Sequence, residues 1–349
     1  MDDDRTTALA DRLAEAALGA LELYSVRLGD ALGLYRTLAE TGPLTPDGLA
    51  TAADIAPRYA REWCEQQAVA GILDALPDGR FALPDAHVPV LVDPAHPAHA
   101  APFGSLLAGV GIALDELIAA YRTGTGVPYA HYGAAFRHGQ AGINRPAFSL
   151  ELPDAWLGAA RDLVDRLRDA PSPRIADLGC GEGWSTIALG RAFPHADVVG
   201  VDLDPGSIED AARHAAEAGS DMRFELADAA SLDGAFDLVL ILEALHDVAD
   251  PVGVLRAARG SLADDGALLV LDERVADEFT APGDAVERLM YGWSVLHCLP
   301  ASMAEQPSAA LGTVLRASTV NRLAIEAGFT RFAELPIEHD FFRLYRLEG

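Results

Sequence analysis

Apolar residues recur at helical spacing over residues 21–38, which predicts an amphipathic helix with one covered face. A Thr45-Pro46 pair then supplies an N-cap and a first-turn proline for a short helix. Ala56-Pro57 opens another, which the pattern carries to about Ile72. Asp78-Gly79 lies between short apolar segments, as a hairpin turn does, just before Phe81-Ala82-Leu83. Helix, helix, helix, hairpin is the plan of a winged helix, and residues 1–95 are expected to form that helical domain. Over 96–152 the pattern stays helical but is interrupted by Gly and Pro. This stretch reads as a connector or lid, and it ends in a polar-aromatic run of Tyr129, His131, Tyr132, Arg137, His138, Asn144 and Arg145. Beyond Pro153 apolar β-like runs alternate with amphipathic helices, the signature of an α/β domain with a mainly parallel sheet over 153–349.

Within that domain, residues 174–178 read as a strand, and Gly179-Cys180-Gly181-Glu182-Gly183 follows at once before a helix starting near Trp184. Such a turn lets backbone approach a ligand closely. The spacing is G-x-G-x-G; a dinucleotide fingerprint would place its third glycine where Trp184 stands, which opposes a NAD-dependent oxidoreductase. A second strand, 198–201, leads into Asp202, where a carboxylate can accept both hydroxyls of a ribose. A third, 222–226, ends near Asp228, which can accept from an adenine amino group. A fourth, 236–242, runs into Glu243-Ala244-Leu245-His246-Asp247, and a fifth, 267–271, into Asp272. Acidic or polar groups thus close five successive strands on the carboxyl edge, where open α/β sheets bind ligands.

Composition narrows the partners. The formal net charge is −27, and all 26 basic residues are Arg, so a lysine base or Schiff base is excluded. Residues 1–95 carry 7 Arg against 16 Asp and Glu, and the helix that would read DNA sets Arg58 and Arg61 beside Glu62 and Glu65. Nucleic-acid affinity needs uncompensated cations, so no nucleic-acid partner is expected. The uninterrupted apolar runs, such as 238–242, fall far short of a bilayer span, and the opening Met-Asp-Asp-Asp lacks the basic start of a secretory signal. Cys64, Cys180 and Cys298 are odd in number and far apart, as free thiols in a reducing compartment are. The expectation is a cytoplasmic protein with no membrane partner.

Over about 153–349 these motifs make the chain resemble the class I S-adenosylmethionine (SAM)-dependent methyltransferases. The resemblance implies a Rossmann-like sheet of seven strands with the last antiparallel, segments 332–337 and 341–347 forming the closing hairpin. It also implies that Asp177, Gly179, Cys180 and Gly181 face the methionine part of SAM, and that Asp202 holds the ribose. Leu203 would cover the adenine face, Asp228 and Ala229 its edge, and Leu242 and Glu243 would complete the cofactor site.

The winged-helix start together with Leu245-His246-Asp247 narrows the resemblance to homodimeric small-molecule O-methyltransferases, here of bacterial secondary metabolism. In those a His of a His-Asp pair is the general base and an acid after the fifth strand orients it; His246 and Asp272 match. Val248 stands where that family usually has Trp. An insertion over 274–318 carries Tyr291, Trp293, His297 and Arg316, which with Tyr129, His131, Tyr132, Asn144 and Arg145 are expected to wall a small-molecule substrate pocket. A second resemblance, to bacterial 2-oxo acid C-methyltransferases, implies that His246 and His297 together hold a divalent or ferric metal ion. The carboxylate-binding Arg of that group is not matched, His131 standing at about its place. The alternative of another class is a ligand-sensing winged-helix transcription regulator.

Overall fold

The computed structural model describes residues 2–349. The chain divides into two compact units: Met1–Gly111 with His138–Pro146, and Ile112–Arg137 with Ala147–Gly349.

The first unit opens with helices α1 (Asp2–Ala31), α2 (Leu34–Thr41), α3 (Pro46–Ala52) and α4 (Pro57–Val69). A two-stranded antiparallel wing follows, β1 (Asp74–Ala75) with β2 (Phe81–Ala82). Where periodicity suggested one helix across 21–38, there are two. Gly33 takes φ +65, a conformation that costs an L side chain dearly, and the axis turns there. Thr45 caps α3 as its sequence requires, its hydroxyl accepting from the Gly48 N–H at 3.1 Å. α4 stops at Val69, short of Ile72, because Gly71 turns the chain at φ +73. Leu34, Leu38, Leu49 and Cys64 are buried in one cluster with Trp63, whose ring meets Tyr35 edge-on at 5.1 Å.

The helix Pro102–Thr123 corrects one expectation. By length and composition alone it is apolar enough to cross a membrane. Counting uninterrupted runs missed it because Asp115 and Glu116 interrupt it, while a helix-length window tolerates them. Of its most apolar window 44 % is buried inside the structure, and core helices pass the same test.

The second unit is built on seven strands: β3 (Arg174–Leu178), β4 (Asp197–Asp202), β5 (Arg223–Leu226), β6 (Phe236–Leu242), β7 (Leu262–Glu273), β8 (Arg331–Leu335) and β9 (Phe342–Glu348). Their order is β5-β4-β3-β6-β7-β9-β8. Strands β3 to β7 run parallel, and β9 is antiparallel to both its neighbours. β6 and β7 are almost wholly buried, which is why they read as continuous apolar runs rather than as alternation. Successive residues of a strand serve opposite faces: Ala176 and Leu178 enter one core cluster and Ile175 the other. Strand order reverses between β3 and β6, so their carboxyl ends flank the crevice where such sheets bind ligands. The 274–318 insertion carries one continuous helical stretch, Ala285–Trp293, a wide turn Ser294–Cys298 and Leu299–Ser302, flanked by irregular chain.

Packing in the first unit leaves no room on one face of α1. A Cβ placed on Gly29 would come within 2.5 Å of the Trp63 ring and 2.6 Å of the Tyr35 ring. Gly29→Ala should therefore destabilise the protein by about 1–3 kcal/mol through overpacking. Urea unfolding followed by tryptophan fluorescence checks this; an unchanged midpoint would contradict it.

Candidate active site

Three glycines shape the turn after β3. Gly179, Gly181 and Gly183 all have positive φ, at 72, 51 and 82. A Cβ at Gly179 would meet Ala244 at 2.6 Å, and one at Gly183 would meet Phe224 and Ala211 within 3 Å. Gly181 differs: nothing lies within 4 Å of its missing Cβ. The outer two glycines are dictated by packing and the middle one faces open space, as a cradle for a ligand does. Asp177 does not face that space. It is buried, and its Oδ2 accepts from the hydroxyls of Ser185 and Thr186 at 2.6 and 2.7 Å, tying the strand to the helix Trp184–Ala192. Cys180 is also turned inward, its sulfur close to Gly200.

Asp202 ends β4 beside this cradle. Oδ2 accepts from the Gly181 N–H at 2.8 Å and Oδ1 from the Asp204 N–H at 2.9 Å. Each carboxylate oxygen keeps a further lone pair for a hydroxyl. Burial raises this carboxyl above the usual range, partly opposed by those two N–H groups. Next to it Leu203 is 58 % exposed, so an apolar face lies open beside the carboxylate. Asp228 accepts from the Ala230 N–H at 2.8 Å and caps the short turn Ala229–Ser231. An open cradle, a fixed carboxylate and an exposed leucine lie in sequence along this edge, the order in which the resemblance would set the methionine, ribose and adenine parts of SAM. Leu242 sits in the core cluster rather than at the edge. Glu243 holds φ +51, an uncommon state for a side chain of its size, and its Oε2 is buried without a hydrogen-bond partner.

Beyond β6 the chain leaves regular structure, and His246 is buried there. Its Nδ1 lies 3.0 and 3.2 Å from the two oxygens of Asp272, itself fully buried in β7. Glu273 Oε2 is 3.8 Å from the same nitrogen, and Asp247 Oδ1 is 3.6 Å from Nε2. Burial alone would lower the imidazole pKa; the charges of Asp272, Asp247 and Glu273 overcome that and raise it well above 6.5. Glu273 is raised by burial and by Asp272, and Glu243 by burial, so these two acids are held toward their protonated forms. Glu273 was absent from the sequence-based site. Its signal was there in the adjacent acids Asp272-Glu273 closing a buried strand.

The aromatic wall is narrower than the sequence suggested. His297 stacks on Phe136 with centroids 4.2 Å apart, and Tyr129, Tyr132 and Trp293 complete the group around these two rings. Tyr132 donates to the Leu296 carbonyl at 2.9 Å, which fixes the wide turn against residues 129–132. Burial lowers the His297 pKa to about 4, so that ring is neutral. Phe136, central to the wall, was not foreseen, because a lone Phe in a helical pattern carries no signal of its own. His131 stays outside the wall: exposed, its Nδ1 pairs with Glu116 at 2.7 Å. Asn144 and Arg145 belong to the first unit. Nor does geometry assemble His246 with His297 as a ligand group. Among the described residues the groups with ligand-like spacing are His246, Asp247 and Cys298; His246, Asp272 and Glu273; and one distant set. His297 instead turns Nδ1 toward the Cys298 sulfur at 3.4 Å.

Arg316 and Tyr291 form a brace. Arg316 pairs with the buried Glu287 at 3.0 Å, bonds the Ala276 carbonyl and reaches the Tyr291 hydroxyl at 3.4 Å.

Residues 171–313 match the family described as Methyltransferase domain, and residues 19–92 the Rv2258c-like winged HTH domain. Trans-aconitate 2-methyltransferase of Deinococcus radiodurans is 33 % identical over 120 residues, 34 % of this chain and 45 % of that one. This chain spans about half the length of the curated relatives it matches. Among solved structures, the mitomycin 7-O-methyltransferase MmcR has a TM-score of 0.69 at 23 % identity, with 98 % of each chain covered. Human N-acetylserotonin methyltransferase, in complex with SAM, has a TM-score of 0.71 at 18 % identity and the same coverage.

Removing the guanidinium of Arg316 would leave Glu287 buried and unpaired. Arg316→Met should cost about 3–5 kcal/mol, read as a lower urea midpoint; a midpoint equal to that of the unchanged protein would show that Arg316 is not a brace. By its seven-stranded sheet and both sequence matches, the chain joins a winged-helix domain to a methyltransferase domain with the Rossmann-like class I fold.

Proposed function

We propose that the protein transfers the methyl group of SAM to an oxygen of a small molecule, with His246 as general base and Asp272 as the residue that orients it. The single observation carrying this reading is the buried His246–Asp272 pair on the same sheet edge as the glycine cradle. Bound SAM would supply an electrophilic methyl on sulfur. The chain's own work is then to hold the acceptor and remove its proton. Asp272 accepts from Nδ1–H and fixes the tautomer, so Nε2 of the neutral ring is the atom that takes the hydroxyl proton. Tyr129, Tyr132, Phe136, Trp293 and His297 supply flat apolar surface against which a small substrate is held dry.

The names of the solved relatives, a mitomycin 7-O-methyltransferase among them, support oxygen as the acceptor and a place in bacterial secondary metabolism. Metal-assisted C-methylation has no observation in its favour, since it needs His246 and His297 as a pair. A DNA-reading role is opposed by α4, where Arg58 is already paired with Glu62. We further read the molecule as a homodimer, supported by the exposed Leu9, Leu13, Leu21, Leu28 and Leu32 along and just after α1, which a second copy would cover. Three buried free thiols, Cys64, Cys180 and Cys298, support a reducing, cytoplasmic setting.

Cofactor binding has a direct test. Asp202→Ala should weaken S-adenosylhomocysteine binding by about 1.5–3 kcal/mol in calorimetry, and an unchanged affinity would remove Asp202 from the ribose site.

The base has two tests. His246→Ala should lower turnover by about 100- to 10,000-fold while S-adenosylhomocysteine still binds. Because the folded pKa of His246 is raised, the ring keeps its proton at pH values where a free imidazole has lost it. The neutral base therefore forms only as pH rises through that value, and kcat/KM should climb on the alkaline side of about 6.5. Stability runs the other way: what the imidazolium contributes is complete below about 6.5 and is lost as pH rises through the raised value. Asp272→Asn removes the main neighbouring charge and should move the rising limb to lower pH. A limb that stays in place would refute the orienting role.

A further inference from the structure

The two nitrogens of His246 keep different company. Nδ1 faces the Asp272 carboxylate at 3.0 and 3.2 Å, and because a carboxylate only accepts, Nδ1 carries the hydrogen. In the neutral ring the lone pair is therefore on Nε2. That atom faces Asp247 Oδ1 at 3.6 Å, too far for a hydrogen bond, and the oxygen is buried with no hydrogen-bond partner. The buried Cys298 is the third member: ligand atoms of His246, Asp247 and Cys298 all lie within 4.8 Å of one another.

An imidazole nitrogen, a carboxylate oxygen and a sulfur are the donors that a borderline-soft divalent ion prefers, zinc above all. The spacing suits it. Zinc bonds of about 2.0–2.2 Å at tetrahedral angles set a nitrogen and an oxygen ligand about 3.4 Å apart, close to the 3.6 Å between Nε2 and Oδ1. Asp272 on the far nitrogen supplies the carboxylate–histidine arrangement that orients metal-binding imidazoles and strengthens their basicity. Three protein ligands leave a fourth position open.

We propose that His246, Asp247 and Cys298 form a site for a zinc-class divalent cation, which competes with the substrate hydroxyl for Nε2 of His246 and so inhibits methyl transfer. The inhibition rests on His246 being the base; the binding does not. Cys298 enters as thiolate and His246 as the neutral ring, so each ion bound displaces the thiol proton and, wherever His246 is still protonated, its Nε2 proton as well; His297 Nδ1, 3.4 Å from the sulfur, is placed to hydrogen-bond it. His297 itself is not a ligand.

The probe is zinc alone, added by equilibrium dialysis to tag-free full-length protein stripped with chelator, followed by elemental analysis. The unchanged protein should take up about one equivalent. Cys298→Ser and Asp247→Asn should each weaken uptake by about tenfold or more, and His297→Ala should leave the equivalent in place. Cobalt should give a thiolate-to-metal charge-transfer band in the near ultraviolet, absent in Cys298→Ser. S-adenosylhomocysteine binding by each variant controls for folding. No uptake by the unchanged protein, uptake indifferent to both Cys298→Ser and Asp247→Asn, or uptake lost in His297→Ala and kept in Cys298→Ser would each overturn the site. In the methyl-transfer assay zinc should inhibit at concentrations matching its dissociation constant, and Cys298→Ser should raise them by about tenfold. Zinc bound without inhibition overturns the competition. Absence of methyl transfer altogether sinks the proposed function and leaves the dialysis result to decide the site.

Discussion

The turn that leaves β3 is held from beneath by Asp177, which accepts from Ser185 and Thr186 inside the protein, and the shape of the glycine cradle depends on that fixation. A buried carboxylate tolerates its desolvation only when it is well hydrogen-bonded, and here burial still raises its pKa against the two hydroxyl bonds. Those bonds tie the last residues of the strand to the first turn of the helix Trp184–Ala192. With the ends fixed, Gly179 and Gly183 are pressed against neighbours, and only Gly181 has free space above it. The Gly181 N–H then points to Asp202, so one network sets both the floor of the cradle and the carboxylate beside it.

The sheet was legible because its central strands are buried on both faces and therefore apolar throughout, and because turn glycines and strand-end acids punctuate them. Strand boundaries moved by a residue or two, as at β4, β5 and β8; β7 is extended most, from Leu262, since Asp264, Asp265 and Gly266 interrupt its apolar signal. The wing and its capped helices were legible for local reasons: Thr45-Pro46 and Asp78-Gly79 act on their immediate neighbours. What was not legible was orientation. Asp177, Cys180 and Leu242 stand where a cofactor-binding strand end puts them, yet their side chains go to the turn or the core. Substrate-wall residues were the least legible. His131 and Trp293 look alike as polar-aromatic punctuation, and only the fold decides that one pairs with Glu116 in solvent while the other reaches Phe136.

Around His246 the constraint is electrostatic. Glu243, Asp247, Asp272 and Glu273 crowd one imidazole, and four full negative charges cannot be kept dry beside a single positive one. The structure answers by raising the imidazole and holding Glu243 and Glu273 toward their neutral forms. The same crowding makes the pocket favour hydrogen-bond donors and cations over anions. That property bears on substrate and metal alike.

Asp272 is buried between two strands that reach it from opposite ends of the sequence order. β6 comes before it, but β9 pairs Arg343 opposite it only after β8 has been made, and β9 must enter between β7 and β8. Closing that long loop is entropically late. During folding, therefore, the cradle made by neighbouring β3 and β4 can assemble from local contacts while Asp272 is still wet. A chain paused at that stage would hold the glycine turn beside Asp202 with Asp272 still uncovered, so the two halves of the proposed site do not depend on one another to form.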